Sequence, residues 1–325
     1  MRFALKAVGV LLLVLLLAAG GVYLWASAAT GRKLARTVSS HTASFSIPMP
    51  LPADEIGRLG LDEAGARRVA GERAVERGRH LIEARYACGE CHGKDFGGGT
   101  MVDDAMLGRL LGPNLTTGAG SRTAAFEASD WDRIVRHGIR RDGHPAMMPS
   151  VDFQLMSDQE LSDIVAYIRS LPPRDNEVPR VRLGPLGKVL VATGKLPLSA
   201  DLIPQDRPHA AVPPAAEVSA EFGRHLAGVC TGCHGEDLAG GPIVGGDPSW
   251  PPARNLTPHP NGLAGWAYGQ FVTALKDSRR PDGDSLRVPM TFIAPYARRM
   301  TDTELQALWA YVRSVPPRPG SPPSR

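Results

Sequence analysis

Cys88-Gly89-Glu90-Cys91-His92-Gly93 recurs as Cys230-Thr231-Gly232-Cys233-His234-Gly235, and these two hexads hold all four cysteines of the 325-residue chain. The surroundings repeat as well. Gly78-Arg79-His80-Leu81 precedes the first hexad, and Gly223-Arg224-His225-Leu226 precedes the second. After the first come Asn114-Leu115-Thr116, Trp131, Met148 and Ala166-Tyr167-Ile168-Arg169-Ser170-Leu171-Pro172-Pro173. After the second come Asn255-Leu256-Thr257, Trp266, Met290 and Ala310-Tyr311-Val312-Arg313-Ser314-Val315-Pro316-Pro317. Counterparts lie 135 to 145 residues apart, and the cysteines, the histidines and Met148/Met290 are all displaced by 142. A duplicated domain accounts for this, because connecting loops tolerate changes of length.

Each half ends in a segment with strong helical signals, Ser157 to Leu171 and Thr301 to Val315. Ser157-Asp158-Gln159-Glu160 and Thr301-Asp302-Thr303-Glu304 both fit the capping box, in which hydroxyl and carboxylate satisfy free N–H groups. Leu161, Ile164, Val165 and Ile168 then recur at helical spacing, as do Leu305, Leu308, Trp309 and Val312. A Pro-Pro pair stops each helix. A shorter helix is expected before each cysteine pair. Its Gly78 or Gly223 costs about 1 kcal/mol of helix propensity, which points to a close crossing with the terminal helix. No segment reads as a strand. The expected fold class is all-α.

C-x-x-C-H is the attachment signature of c-type haem. Two thiols three positions apart share one face of a helical turn, where each can form a thioether with a haem vinyl group. The adjacent histidine, His92 or His234, then becomes the proximal ligand of the iron. A structural zinc site would use the four thiolates of paired C-x-x-C motifs, but here each pair is separately complete and followed by histidine. Thioredoxin-like chemistry expects a strand–helix context. Disulfides would leave the histidine unexplained twice. Two covalently attached haem c groups are the expected cofactors.

On these motifs the chain resembles a tandem of class I cytochrome c domains and is similar to the cytochrome subunits of bacterial membrane dehydrogenases. The resemblance covers residues 75–173 and 216–317. It implies a small all-α fold around each haem, with the crevice closed by a distal methionine. It also implies that Asn114, Thr116, Asn255 and Thr257 sit beside the haem, where a propionate bond competes with ordinary turn formation. The dehydrogenase cytochromes usually carry three haems, whereas this sequence offers two. The expected organisation is an anchor (1–36), an extended or helical linker (37–74), domain 1 (75–173), a Pro-rich linker (174–215), domain 2 (216–317) and a tail (318–325). The linker, with one apolar stretch from Leu186 to Val191, is expected to drape over a domain.

Spacing nominates the distal ligands. Met148 follows His92 by 56 residues, and Met290 follows His234 by 56. Each adjoins a proline that stiffens its loop. Met156 and Met300 read as core filler. His137 and His144 are the rivals in the first half, but positions 142 residues on hold Arg279 and Leu286. Trp131 and Trp266 read as core aromatics near the porphyrin, and His80 and His225 as exposed helical histidines.

No charged side chain occurs from Ala7 to Gly31, a run long enough for a membrane span of roughly 20 residues. Tyr23 and Trp25 stand where an interfacial aromatic belt belongs. The competing reading is a leader cleaved after Ala26-Ser27-Ala28. Arg2 and Lys6 on one side are matched by Arg32, Lys33 and Arg36 on the other, so charge does not set orientation. Attachment of c-type haem outside the cytoplasm does: it expects a single-pass inner-membrane protein with its haem domains in the periplasm. Net charge is +4, without a basic block beyond the N-terminal flanks, so nucleic acid is not an expected partner. His/Met ligation leaves no open iron position, which favours an electron carrier over a catalyst. Its partners would be a redox donor and acceptor: a dehydrogenase, a cytochrome complex or a terminal oxidase. The rival is a dihaem oxidoreductase of peroxidase or thiosulfate dehydrogenase type. The latter commonly uses a distal cysteine, and no fifth cysteine exists here.

Overall fold

The computed structural model describes residues 2–247 and 249–320. The expected tail therefore falls partly outside the described residues. Thirteen helices and three short strands are present among them, ordered α1 (Arg2–Ala35), α2 (Ala53–Leu59), α3 (Glu63–Leu81), α4 (Gly89–His92), β1 (Gly99–Asp104), β2 (Gly108–Gly112), α5 (Ala128–Arg136) and α6 (Asp158–Ser170). Then come β3 (Arg182–Leu183), α7 (Pro185–Thr193), α8 (Ser199–Leu202), α9 (Ala220–Leu226), α10 (Thr231–His234), α11 (Tyr268–Asp277), α12 (Ala294–Ala297) and α13 (Asp302–Ser314).

Both terminal helices start where the capping boxes placed them. Ser157 Oγ accepts from Glu160 N at 3.2 Å while Glu160 Oε2 accepts from Ser157 N at 2.8 Å. Thr301 and Glu304 repeat this at 3.2 and 2.7 Å. The helix before each cysteine pair crosses the terminal helix at its glycine. A Cβ on Gly78 would overlap the carbonyl of Asp163, and one on Gly223 that of Ala307. In the first half that helix is long. α3 buries Ala66, Ala70, Ala74 and Gly78, a stripe of small residues every four positions that lets it lie close along α6, and it runs through position 75.

Each half has its own core. Ile82, Tyr86, Phe96, Leu115, Trp131, Met156, Leu161, Ile164, Val165 and Ile168 form the first. Phe222, Leu226, Leu238, Leu263, Phe271, Leu305, Leu308 and Val312 belong to the second domain's buried interior. Met156 is 2% exposed and Met300 packs against the second core, both as filler.

The fold is predominantly helical, but the absence of strands expected from sequence does not hold. β1 and β2 pair antiparallel from Gly99↔Gly112 to Asp104↔Gly108, and β3 adds Gly108↔Leu183 and Arg109↔Arg182. β1 is mostly exposed, so it has no alternating apolar pattern to read. The hairpin is held by its turn, where Asp104 Oδ1 accepts from Met106 N and Leu107 N at 2.8 and 2.7 Å.

The linker drapes over the first half and is more structured than its prolines suggest. Its apolar stretch forms α7, capped by Pro185 at the first turn and by Gly194. α7 packs against the end of α1: Thr30 Oγ1 donates to Lys188 O at 2.8 Å, and Lys33 Nζ to Val191 O at 3.0 Å. Ala26 and Thr30 are the buried residues of α1. The apolar turns before them are exposed, and α1 is long and apolar enough to cross a membrane.

Candidate functional site

α4 and α10 present the two C-x-x-C-H sequences. Cys88 caps α4 with Cys91 and His92 within it, and Cys230 caps α10 with Cys233 and His234 within it. All four thiols are unbridged. His92 is 9% exposed and His234 5%. His92 Nδ1 donates to Pro113 O at 3.0 Å, and His234 Nδ1 to Arg254 O at 2.7 Å. A carbonyl can only accept, so each Nδ1 carries the proton and each Nε2 keeps its lone pair. Burial lowers both imidazoles below their ordinary range, against a smaller opposing effect of the carbonyl bonds. Neutral imidazole with a free Nε2 is the form that ligates iron.

These residues fit covalently held haem. Two unbridged thiols and one oriented imidazole stand in each attachment turn. In the first half Trp131 Nε1 is buried without a hydrogen-bond partner, an orphan donor that an acidic group of a bound haem would satisfy.

Sequence reasoning placed Asn114, Thr116, Asn255 and Thr257 well but gave them an open role. Asn114 Oδ1 accepts from Thr116 N and Oγ1, while Asn114 Nδ2 donates to Arg174 O at 2.7 Å and Asn176 O at 3.2 Å. Asn255 and Thr257 repeat the turn, with Asn255 Nδ2 donating to Arg318 O at 2.7 Å. They tie the turn after each attachment site to the chain leaving the terminal helix.

The methionine loops are less symmetric than the sequence. Arg140 N donates to His144 O and Arg280 N to Asp284 O; Ala146 N donates to Gly138 O and Leu286 N to Ser278 O. Pro149 leads into a 3₁₀ turn at Ser150–Asp152, and Pro289 into one at Met290–Phe292. Every one of these matches is displaced by 140 residues, not 142. In backbone register Met148 therefore corresponds to Val288, and Met290 to Ser150. Each loop still offers a partly buried methionine, two positions apart. The rival His137 is occupied elsewhere: its Nδ1 lies 3.1 Å from Gln205 Oε1 and its Nε2 3.0 Å from His209 Nε2. His144 turns outward, with Nδ1 3.0 Å from Arg36 O.

The cytochrome c family model matches residues 75–172 and again 220–316. The chain belongs to the cytochrome c family. With two domains and a C-x-x-C-H in each, this cytochrome carries two covalent haem c groups. It is 27% identical over 259 residues to the cytochrome c subunit of a quinone alcohol dehydrogenase from Gluconacetobacter polyoxogenes, a match covering 71% of this chain and 53% of that protein. It is 24% identical over 277 residues to a dihaem c-type cytochrome from Cereibacter sphaeroides, covering 74% of this chain and 86% of that one. The cytochrome subunit of a fructose dehydrogenase from Gluconobacter japonicus is 24% identical over 267 residues, covering 75% and 53%. The chain thus spans about half the length of the dehydrogenase subunits it matches.

The two haem-attachment turns of this cytochrome meet at one seam between the domains. Tyr296, after the second methionine loop, donates its hydroxyl to Glu90 inside the first C-x-x-C. Asp152, after the first methionine loop, packs against Gly232 inside the second C-x-x-C so closely that a Cβ there would overlap its Oδ1. Burial holds the Asp152 carboxyl up to about 6.

His80 and His225, expected to be exposed, are part of this seam. His80 Nε2 lies 2.9 Å from Glu304 Oε1, and His225 Nε2 2.8 Å from Glu160 Oε1. His225 retains only 10% side-chain exposure and His80 35%. Each reaches the capping-box glutamate of the opposite domain, which covers the helix face that sequence alone leaves to solvent. The available signal was the repetition of Gly-Arg-His-Leu itself.

Proposed function

We propose that this cytochrome is a membrane-anchored carrier that relays electrons between redox partner proteins. In this reading Cys88, Cys91, Cys230 and Cys233 supply the thioether links, His92 and Met148 ligate one iron, and His234 and Met290 the other. Bound haem supplies a one-electron iron couple, and two thioether/imidazole ligand sets leave it without a vacant position. The observation that carries the relay is the reciprocal seam, in which each attachment turn contacts the segment following the other domain's methionine loop. The chain's contribution is to hold the two sites at a fixed mutual distance in a largely dry interface, with each proximal imidazole neutral and oriented.

The end of α1 supports an anchor over a cleaved leader. Ala26 is 0% exposed and Thr30 4%, so the segment spanning the Ala26-Ser27-Ala28 sequence belongs to the folded body. Haem attachment outside the cytoplasm puts both domains on the periplasmic side. The partners in this reading are a dehydrogenase on the donor side and a cytochrome complex or terminal oxidase as acceptor; the dehydrogenase names of the relatives support the first.

The test is the cofactor count of the full chain. Haem staining of a denatured gel and intact mass should give two haems in the wild type and one in Cys88→Ala/Cys91→Ala. Retention of both haems in that variant overturns the assignment.

A further inference from the structure

The two methionine loops differ in what lies over them. In the first half α8 closes the loop: Ser199 Oγ donates to Met148 O at 2.8 Å and accepts from Val151 N at 3.3 Å. The segment after α1 adds to this cover, with Val38 N donating to Gly143 O at 2.9 Å and Ala43 N to Asp132 Oδ2 at 3.0 Å. Among the described residues the second loop has no comparable cover. Val288 is 41% exposed, Phe292 58% and Ile293 44%. In register with the first half, Phe292 replaces Asp152, which is buried at the seam, and Ile293 replaces Phe153, which packs on the first core. A duplicated loop has kept its backbone while turning large apolar side chains outward.

Charge frames this patch. Residues 278–299 hold five arginines (279, 280, 287, 298, 299) against Asp282 and Asp284, a net +3. Arg279, Arg287 and Arg298 are exposed.

We propose that Val288, Phe292 and Ile293, rimmed by Arg279, Arg287 and Arg298, form the docking surface for a redox protein with an acidic face and an apolar centre, seated beside the second haem. An apolar centre that excludes water inside a charged rim is the anatomy of a specific transient interface, and the positive rim steers an acidic partner. The inference rests on the carrier reading and gives it a direction. The first haem is walled in on the side of the anchor, and the second faces the soluble partner. One electron crosses this contact, the partner being oxidised as the second iron is reduced, or the reverse.

The test uses the full chain in lipid nanodiscs and a plastocyanin with an acidic surface patch as probe, with a second plastocyanin whose patch carboxylates are converted to amides. Binding is read by calorimetry. Haem content is read separately by absorbance, so a failure of the haem assignment shows there and not in the affinity. Phe292→Ser/Ile293→Ser should raise Kd about tenfold. Arg287→Glu/Arg298→Glu should raise it at least as much and abolish its increase with salt. The amide probe should bind weakly, and Met106→Ser, at an exposed site on the β1–β2 turn, should bind like the wild type. Unchanged affinity in both double variants, or equal affinity for the two probes, overturns the proposal. So does a wild-type dimer that Phe292→Ser/Ile293→Ser converts to monomer, because the patch is then an interface between copies of this chain.

Discussion

His225 donates to Glu160 across the seam at 2.8 Å, and Glu160 uses its other oxygen to cap α6, accepting from Ser157 N. One carboxylate therefore starts a helix in one domain and fixes the position of the other. Arg85, whose side chain is 4% exposed, adds its guanidinium to the same oxygen at 2.7 Å. Burial alone would raise this carboxyl, but the His225 bond and the Arg85 charge outweigh it and hold Glu160 down to about 2. Removing the carboxylate strands a buried guanidinium, and breaking such a pair costs about 3 kcal/mol or more. Glu160→Gln should lower stability by that order in urea denaturation, and more than Glu304→Gln does. Equal, small effects for the two substitutions would show that the buried arginine is not held by Glu160.

The symmetric pair gives the seam a pH window. The Glu304 bond raises His80 above its ordinary value of 6.5, against a smaller opposing effect of burial. A raised histidine stabilises the fold fully below about 6.5 and loses that contribution as pH rises through its folded value. Glu160 is depressed, so its contribution is present above 4.5 and lost as pH falls toward about 2. The midpoint of thermal unfolding should therefore be highest between these limits and decline on the alkaline side. His80→Gln should remove most of that alkaline decline. A variant with the wild-type profile would place the pH dependence elsewhere.

Helix propensity and packing make opposite forecasts at Gly78 and Gly223. Propensity favours alanine by about 1 kcal/mol. The crossing forbids it, since the new Cβ meets the Asp163 or Ala307 carbonyl, and overpacking of this kind costs about 1–3 kcal/mol. Gly78→Ala and Gly223→Ala should each destabilise, whereas Gly71→Ala, on the same helix with open space at its Cβ, should stabilise slightly. Stabilisation at all three sites would mean that the helices do not cross there.

The elements legible in the sequence are those specified by local chemistry. Capping boxes, the prolines after α6 and α13, and the crossing glycines are signals carried within a few residues. β1 was not legible because its partners are supplied by a turn and by β3, nearly eighty residues on. The seam was hidden for a different reason: His225 and Glu160 are 65 positions apart, and nothing in either neighbourhood distinguishes a solvated histidine from an interfacial one. At the candidate site the thiols and proximal histidines were readable because spacing alone dictates them. The distal loops were only half readable, since equal counts from histidine to methionine conceal a two-residue difference in backbone register.

The anchor reading concerns a segment with two functions. Residues before Ala26 have only solvent or lipid around them, while Ala26 and Thr30 are buried against the linker helix. Membrane-bound protein should therefore begin near Met1, and protease added to spheroplasts should digest both haem domains. N-terminal sequencing that starts at Ala29 would show a cleaved leader, and protection from protease would reverse the orientation. Thr30→Val should loosen α7 without releasing the protein from membranes.

The last prediction separates the two irons. A thioether sulfur favours ferrous iron, so replacing it with imidazole lowers the potential of that haem. Met148→His and Met290→His should each move one wave of a redox titration downward, leave the other nearly in place, and remove about half of the sulfur-to-iron charge-transfer absorption of the oxidised protein. The loops add a discriminating expectation. Met148 stands before its proline with its carbonyl held by Ser199, whereas Met290 opens a 3₁₀ turn beside exposed Phe292. The second ligand is thus the less constrained, and it should be displaced first by added imidazole. Ser199→Ala should make the first haem more readily displaced and leave the second unchanged. Should Met290→His alter neither wave nor the absorption band, the second iron takes its sixth ligand from elsewhere. Ready binding of carbon monoxide by the unmutated reduced protein would go further: an iron with a vacant position is a reaction centre, and the carrier reading fails.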